Sequence, residues 1–528
     1  MPYFSGTDTV KLQMNVAQIK SDSKLITAII ERWEQSHVYR HMIEGEKYYS
    51  VRHEICHKDF TKAYIFNKDI NDFVQVENKN ASNLKTINPF LRYLNRQKTN
   101  YIAGKRIQFT VKDAENNTDA ETLQENINNE LNDYFESTAY DLVLHASNKG
   151  MEVLMPFINA DGKFDYRIAP AQNIIPDYDE ETGQLISVMR YYEKDYLADN
   201  DEQRDSLRTS SQLMEVRRVE IWTKEDVSYY VQDSPGGLYV FESSRSHFEL
   251  TNPLLNPEDQ TAKGSWGRPP FIFLNNNSEK ESDLLPIKSL LGAYDAVSTG
   301  FFQDVDTIQS VVYHVNDYGG TDAKEIPQML KLFKSISTQG PDGKVEAIQI
   351  EIPFEAKKEI LSILEKNIFR FGEGVDLTAV NKGANIPIIG VEVTFNDLYL
   401  KGNNTISQLK LALKDFIWFL IFYMQNKKMP GRVDSKNVQL LADSVSAVIK
   451  VSKISNDTEL ITNLLASKGI MSNEAIMNKH PYIDDVETNK AQLEEEATVN
   501  LDTVPPDNIN VDMTNTDMNK QKQKQVAV

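Results

Sequence analysis

Five consecutive residues, His53-Glu54-Ile55-Cys56-His57, have the types and spacing of a zinc-peptidase motif. On an α-helix, histidines four apart share a face and can ligate one zinc ion, with the intervening glutamate as general base. That chemistry needs a committed helix and a third ligand. The flanking run YYSVRHEICHKDF has no helical apolar stripe, and no third ligand follows at a familiar spacing. The motif therefore reads as a polar, partly exposed segment, with a zinc hydrolase using His53, Glu54 and His57 as the alternative. His37 and His41 repeat the spacing on an amphipathic stretch, where solvent or interface contact is the simpler reading. Asn159-Ala160-Asp161-Gly162 begins like a calcium loop, yet Pro170 stands where the closing glutamate belongs, so a hairpin turn fits better. Gly340-Pro341-Asp342-Gly343-Lys344 lacks phosphate-loop spacing and has no Ser or Thr after the lysine. No dinucleotide fingerprint or serine-nucleophile elbow occurs. The residues outline no catalytic site, no metal site and no need for a cofactor.

The elements that must position any site belong to a chain of 528 residues, enough for about three or four domains with real cores. Hydrophobic residues are 40% and charged residues 25%, as in a globular protein. Lys plus Arg number 57 against 77 Asp plus Glu, giving a formal charge of -20. Gripping nucleic-acid phosphates needs a cationic face, so that role is disfavoured, whereas letting nucleic acid slide past is not. Cys56 is the sole cysteine, which predicts no internal disulfide and suits a reducing cytoplasm. The N-terminal run has no signal-peptide apolar core, and the apolar run 416–424 is far shorter than the ~20 residues a membrane-spanning helix needs. The expectation is a soluble intracellular protein with no membrane partner.

Along the chain, Ser23 can cap a helix with Leu25, Ile26, Ile29, Ile30 and Trp33 on one face. A second amphipathic turn passes Tyr39, Met42 and Ile43 and ends near Gly45. Asn88-Pro89 opens a helix that Gly104 closes, and Leu123 to Leu142 mark another helical region ending at Gly150. Strand-like runs follow at 153–158, 164–168, 186–192, 216–222, 227–232, 238–242 and 271–274, with Asp161-Gly162 as a hairpin signal. The stretch 283–424 then reads as helix, compact insert, helix, Gly/Asn-rich loop and long helix. Its first helix repeats Ile287, Leu290, Leu291, Tyr294, Val297, Phe301, Val305 and Ile308 on a 3.6-residue period. The insert holds a helix from Pro327 and a strand in which Ile348, Ile350 and Ile352 alternate. The long helix ends in the all-round apolar DFIWFLIFYM, which belongs in a core. Asn456 with Glu459 fits a capping box, Gly469 a helix stop, and the chain beyond about 498 reads as disordered.

Five stretches, taken together and in order, resemble the portal proteins of tailed bacteriophages, in the siphophage-type branch. They are GEKYYSVRHEI (45–55), NLKTINPFLRYLNRQKTNYIAGKRI (83–107), GMEVLMPFINADGKFDYRIAPAQNIIPDYDEETG (150–183), GRPPFIFLNNNSEKESDLLPIKSLLGAYDAVST (267–299) and MSNEAIMNKHPYIDDVETN (471–489). The family's signature before the stem is matched by Gly267, Pro270, Ile272, Phe273, Asn275, Asn276, Asp283, Leu284, Ile287, Lys288, Tyr294 and Asp295. Ser50-Val51 departs from the glycine that usually follows the tyrosine pair, and 377–395 matches only loosely. The HExxH falls where relatives carry a similar His-acid-Ile pattern with no metal.

The resemblance implies an α+β, multi-domain portal protomer of wing, stem, clip and crown. Its parts would be 1–284, an α+β wing body; 285–310, the first stem helix; 311–356, the clip; and 357–372, the second stem helix. Next would come the tunnel loop at 373–395, a long wing helix at 396–430, a helical crown at 431–496 and a disordered tail at 497–528. It implies a non-enzymatic homo-oligomer of about twelve subunits closed by heterologous contacts. The ring sits at a capsid vertex of the virion and passes double-stranded DNA in packaging and ejection. Implied partners are the terminase large subunit, the head-completion adaptor, and the major capsid and scaffolding proteins. Asn381, Lys382, Gly383 and Asn385 are the expected channel-loop residues. Val311, Val312, Phe333, Ile348 and Ile350 are the expected subunit or adaptor interface of the clip. Another structural virion ring protein, such as a capsid or tail-ring subunit, is the second alternative.

Overall fold

The computed structural model describes residues 19, 22–67, 70–77, 81–112, 118–197, 213–234, 236–251, 261–308, 312–315, 345–348, 353–377, 388–428, 435–452, 457–480, 482–483 and parts of 486–496. The chain divides into two units, residues 1–453 and 454–528. The first begins with α1 (Lys24–Glu34), α2 (His37–Tyr49), a 3-10 turn at Glu54–His57, β1 (Lys62–Asn67) and β2 (Asp72–Glu77). It continues with α3 (Phe90–Ala103), β3 (Ile107–Val111), α4 (Thr118–Glu130) and α5 (Asp133–Lys149). Strands follow: β4 (Met151–Ile158), β5 (Phe164–Ala169), β6 (Ile174–Tyr178), β7 (Leu185–Leu197), β8 (Leu213–Trp222), β9 (Asp226–Gln232), β10 (Tyr239–Ser246), β11 (Phe248–Thr251), β12 (Thr261–Gly264) and β13 (Ile272–Asn275). Then come α6 (Lys288–Ile308), β14 (Val312–Val315), β15 (Val345–Ile348), α7 (Phe354–Phe371), α8 (Ile388–Lys428), α9 (Ser435–Ser444) and β16 (Val445–Ile449). The second unit holds α10 (Asp457–Ala466) and α11 (Asn473–Lys479). Helices and sheets are both extensive, so the α+β class holds.

Local chemistry accounts for most boundaries. Ser23 precedes α1 without making a cap bond; Asp22 Oδ1 accepts from the Lys24 N–H at 3.1 Å instead. The Ser36 hydroxyl accepts from the Tyr39 N–H and caps α2. Asn132 caps α5 by accepting from the Tyr134 N–H, which splits into two the single helical region expected around Leu123 and Leu142. Gly150 ends α5 with φ 93°, a left-handed conformation that glycine adopts without a Cβ penalty. The β4–β5 hairpin turns at Asp161-Gly162, as expected, with Ile158 opposite Phe164. Helix α2, by contrast, runs on past Gly45 to Tyr49. The glycine marks a close approach: a Cβ there would lie 1.8 Å from the Asn148 carbonyl oxygen of α5.

The strands form a five-stranded antiparallel sheet ordered β10-β9-β8-β7-β6 and a three-stranded sheet ordered β13-β4-β5. Under the larger sheet, Val188, Val219, Ile221 and Trp222 share a core with Ile26, Ile30 and Trp33 of α1. The main core gathers on α8, where Phe416, Phe419, Leu420 and Tyr423 are buried among Phe135, Phe164 and Trp266. The all-round apolar end of that helix therefore sits in a core, as expected. Among the described residues no helix is long and apolar enough to cross a membrane.

Two segments fall differently from the expected division. Helix α8 starts at Ile388, inside the stretch assigned to a loop at 373–395. In the sequence Pro387 immediately precedes it, and proline's fixed φ suits a helix start. Strand β16 pairs antiparallel with β3, Val445 opposite Val111 and Ile449 opposite Ile107. Residues 435–449, expected to belong to a helical crown, thus lie in the first unit. Helices α6 and α7 pair into a two-helix arm: the Phe301 and Phe354 rings lie 5.4 Å apart and Lys357 pairs with Asp304. The helix expected from Pro327, and the residues Ile352 and Asn456, lie outside the described residues.

Candidate functional site

The HExxH residues stand at the base of this arm, but not on an α-helix. After α2 ends, Val51 adopts φ 63°, a left-handed conformation that is costly for a β-branched residue. His53 is then extended, and Glu54–His57 make a 3-10 turn. The two imidazoles separate, His53 buried and His57 exposed. The His53 Nδ1–H donates to Asp295 Oδ2 at 2.5 Å, its ring stacks on Tyr48 at 4.4 Å, and Nε2 lies 3.3 Å from the Tyr48 carbonyl oxygen. Glu54 faces Lys288 at 3.4 Å. The segment is partly exposed, as expected, with Glu54 and His57 open to solvent, while His53 itself is buried and the Asp295 carboxylate gives its ring a partner. Among the described residues no group of three or more His, Cys, Asp or Glu could hold a metal.

Asp295 serves more than His53. Its Oδ1 accepts from the Asn88 backbone N–H at 2.9 Å and from Asn88 Nδ2 at 3.0 Å. The same Asn88 amide donates to Ser298 Oγ at 3.2 Å, and the Thr86 N–H donates to Thr299 Oγ1 at 3.0 Å. One turn of α6 is thereby tied to the segment that leads into α3. Phe90, at the start of α3, wedges between Tyr294 of α6 and Phe369 of α7, with ring centroids 4.9 and 5.9 Å away.

A second buried cluster holds the other helices. Lys98, on the buried face of α3, donates from Nζ to Asn276 Oδ1 at 2.5 Å and to Asp283 Oδ2 at 3.0 Å. Asn276 Nδ2 donates to Asp283 Oδ1 at 2.8 Å. From α8, Lys401 lies 3.4 Å from Asp283 Oδ2 and donates to the Gly372 carbonyl at the end of α7 at 2.8 Å. Thr405 donates to the Asn276 carbonyl at 2.8 Å. Burial pushes the Lys98 pKa down to about 8, with Asp283 opposing the shift. Burial also works against the Asp283 carboxylate, yet Lys401 and Lys98 together hold its pKa below the usual range. A buried charge is tolerated where it is paired and hydrogen-bonded, as here. Beyond α7, the Gln97 side chain bonds Val375 on both sides, accepting from its N–H at 3.0 Å and donating to its carbonyl at 2.8 Å. The clusters have the chemistry of a joint, in which α6, α7 and α8 are fastened to α3.

Of the residues expected at the clip interface, Val312 and Ile348 are opposite one another in the antiparallel β14–β15 pair. Val311, Phe333 and Ile350 lie outside the described residues, as do the expected channel-loop residues Asn381, Lys382, Gly383 and Asn385. The joint residues Lys98 and Lys401 were not singled out by sequence. A signal existed: Lys98 falls on the same helical face as Leu91, Leu94 and Tyr101, and a lysine in a buried stripe needs a buried partner.

Comparison with known proteins adds a family. A family profile described as "Phage portal protein, SPP1 Gp6-like" matches residues 30–500. The chain is similar to the portal protein of Bacillus phage SPP1, 26% identical over 477 residues, covering 89% of this chain and 86% of that one. It is also similar to the portal protein of Clostridium phage phiCD119, 27% identical over 468 residues, covering 86% of this chain and 92% of that one. Among solved structures, a chain of the neck of an empty GTA particle, computed with C6 symmetry, aligns with TM-score 0.37 at 10% identity. That alignment covers 74% of this chain and 88% of the other.

Proposed function

Because the chain belongs to the SPP1 Gp6-like family of phage portal proteins, we propose that its copies close into a ring at one capsid vertex of a virion and form the channel for double-stranded DNA. The observation that carries this reading is the family match over 30–500, which spans the body, the arm and α8 together. The ring has about twelve subunits joined by heterologous contacts. In this reading α6 and α7 are stem helices, and the insert between them is the clip, where the terminase large subunit and later the head-completion adaptor dock. Capsid and scaffolding proteins surround the ring, and the chain itself catalyses nothing. The joint at the arm's base supports the role mechanically, since stem helices that guide moving DNA must be fixed to the wing.

The charge balance also suits passage. Each phosphate held by a fixed cation retards sliding, and the chain's formal charge of -20 keeps such grips few. Lys382, between Asn381 and Asn385, is the cation we assign to the DNA-facing loop. A Lys382→Glu variant should assemble normally yet change DNA packaging or retention severalfold, measured as packaged DNA per particle. Unchanged packaging would remove Lys382 from the channel lining.

A further inference from the structure

Among the described residues, helix α7 carries two exposed apolar surfaces on opposite sides. One is a stripe of Ala356, Ile360, Ile363 and Phe371, with Asn367 as the polar residue among them. At 100° per residue these positions fall within a sector of about 80°. Ile360, Ile363 and Phe371 are 46%, 48% and 52% exposed. The other is a groove of about 270 Å³ between α6 and α7, lined by the apolar Phe301, Phe354 and Leu361 together with Lys358, Ser362 and Glu365. The α7 residues of the groove centre roughly 160° away from the stripe. Apolar surface of this length left open on a helix calls for a partner.

The charges beside these surfaces identify the partner and its direction. Lys358 and Glu365 stand seven residues apart at the groove, and Glu359 and Lys366, both exposed, stand seven apart on the flank next to the stripe. If the stripe of a second α7 lies parallel in the groove, Lys358 comes level with Glu359 and Glu365 with Lys366, opposite charges at both places. If it lies antiparallel, Lys358 meets Lys366 and Glu365 meets Glu359, like charges at both. A two-fold pairing of stripe on stripe would set Glu359 against Lys366 but leave the groove open on each copy. Rotation about a ring axis keeps neighbouring helices parallel and lets both surfaces be covered. We propose that the isoleucine stripe of one copy seats in the α6–α7 groove of the next, a head-to-tail contact repeated around the assembly. This rests on the ring reading above and adds which two faces meet.

The test uses two neighbouring positions that point to different faces, Ile363→Asp on the stripe and Ser362→Trp in the groove, each in the full chain. Native mass spectrometry of wild type should give rings. Each variant alone should lose them at least tenfold at equal concentration, with an unchanged far-ultraviolet circular dichroism spectrum. An equimolar mixture of the two should form one-to-one heterodimers, since the groove of the first variant accepts the stripe of the second and no further contact remains. Charge reversal gives an independent check: Lys358→Glu alone should weaken rings, and Lys358→Glu with Glu359→Lys should restore them. Wild-type rings together with unaffected variants, or with a mixture that stays monomeric and no rescue by charge reversal, would overturn the pairing while leaving the ring intact. A wild type that never forms rings would overturn the ring reading itself.

Discussion

Two buried histidines in this chain show how surroundings decide what a titratable residue does. His53 has the Asp295 carboxylate 2.5 Å from Nδ1 and serves as a clasp between the segment after α2 and helix α6. His247 has no carboxylate of that kind; its Nδ1 accepts from the Trp266 N–H at 3.2 Å and its ring lies 5.5 Å from Trp222. Burial pushes its pKa down to about 4, against the weaker upward pull of Asp226. The folded chain therefore takes up this proton later than the unfolded chain does. The resulting stability is fully present above the unfolded value of about 6.5 and is lost as pH falls through 4. That window corresponds to about 3 kcal/mol for this one group. Urea midpoints at pH 4.5 and pH 7 should differ less in His247→Gln than in wild type; an equal difference would show that other groups carry the acid sensitivity.

At the scale of elements, the legible parts were those punctuated by local chemistry. Asn88-Pro89 and Gly104 bracket α3 as read, and Asp161-Gly162 turns the β4–β5 hairpin as read. What sequence could not supply was set by contacts distant along the chain. Strand β16 is five residues long and is defined by its pairing with β3, more than three hundred residues earlier. Gly45 reads as a helix end, yet it lies within α2, and the Asn148 carbonyl in the place of a Cβ is the reason a glycine stands there. Gly45→Ala should consequently lower stability by about 1–3 kcal/mol although alanine is the better helix former. Denaturant unfolding checks this, and a stabilised Gly45→Ala protein would mean that α2 and α5 do not pack so closely. The joint residues were half legible: Asp283 and Asp295 stood in the family signature, but their pairing with Lys98 and Lys401, and with His53, became evident only in three dimensions.

At the scale of the whole molecule, the family is fixed by a match that runs from residue 30 to residue 500. The net charge of -20 disfavours a phosphate-gripping role, and the apparent peptidase motif resolves into a clasp and a partly exposed turn. Buried ion pairs fasten the base of the arm, and α7 carries exposed Ile360, Ile363 and Phe371 on one side and the groove at Leu361 on the other, the two faces through which we propose that copies meet. Single-particle imaging of the purified full chain decides whether it does. A ring-forming portal subunit should appear as closed rings of about twelve subunits around an open central channel, with α6 and α7 lining the stem. Particles that remain monomers or two-fold dimers at high concentration, with no ring, would contradict that reading.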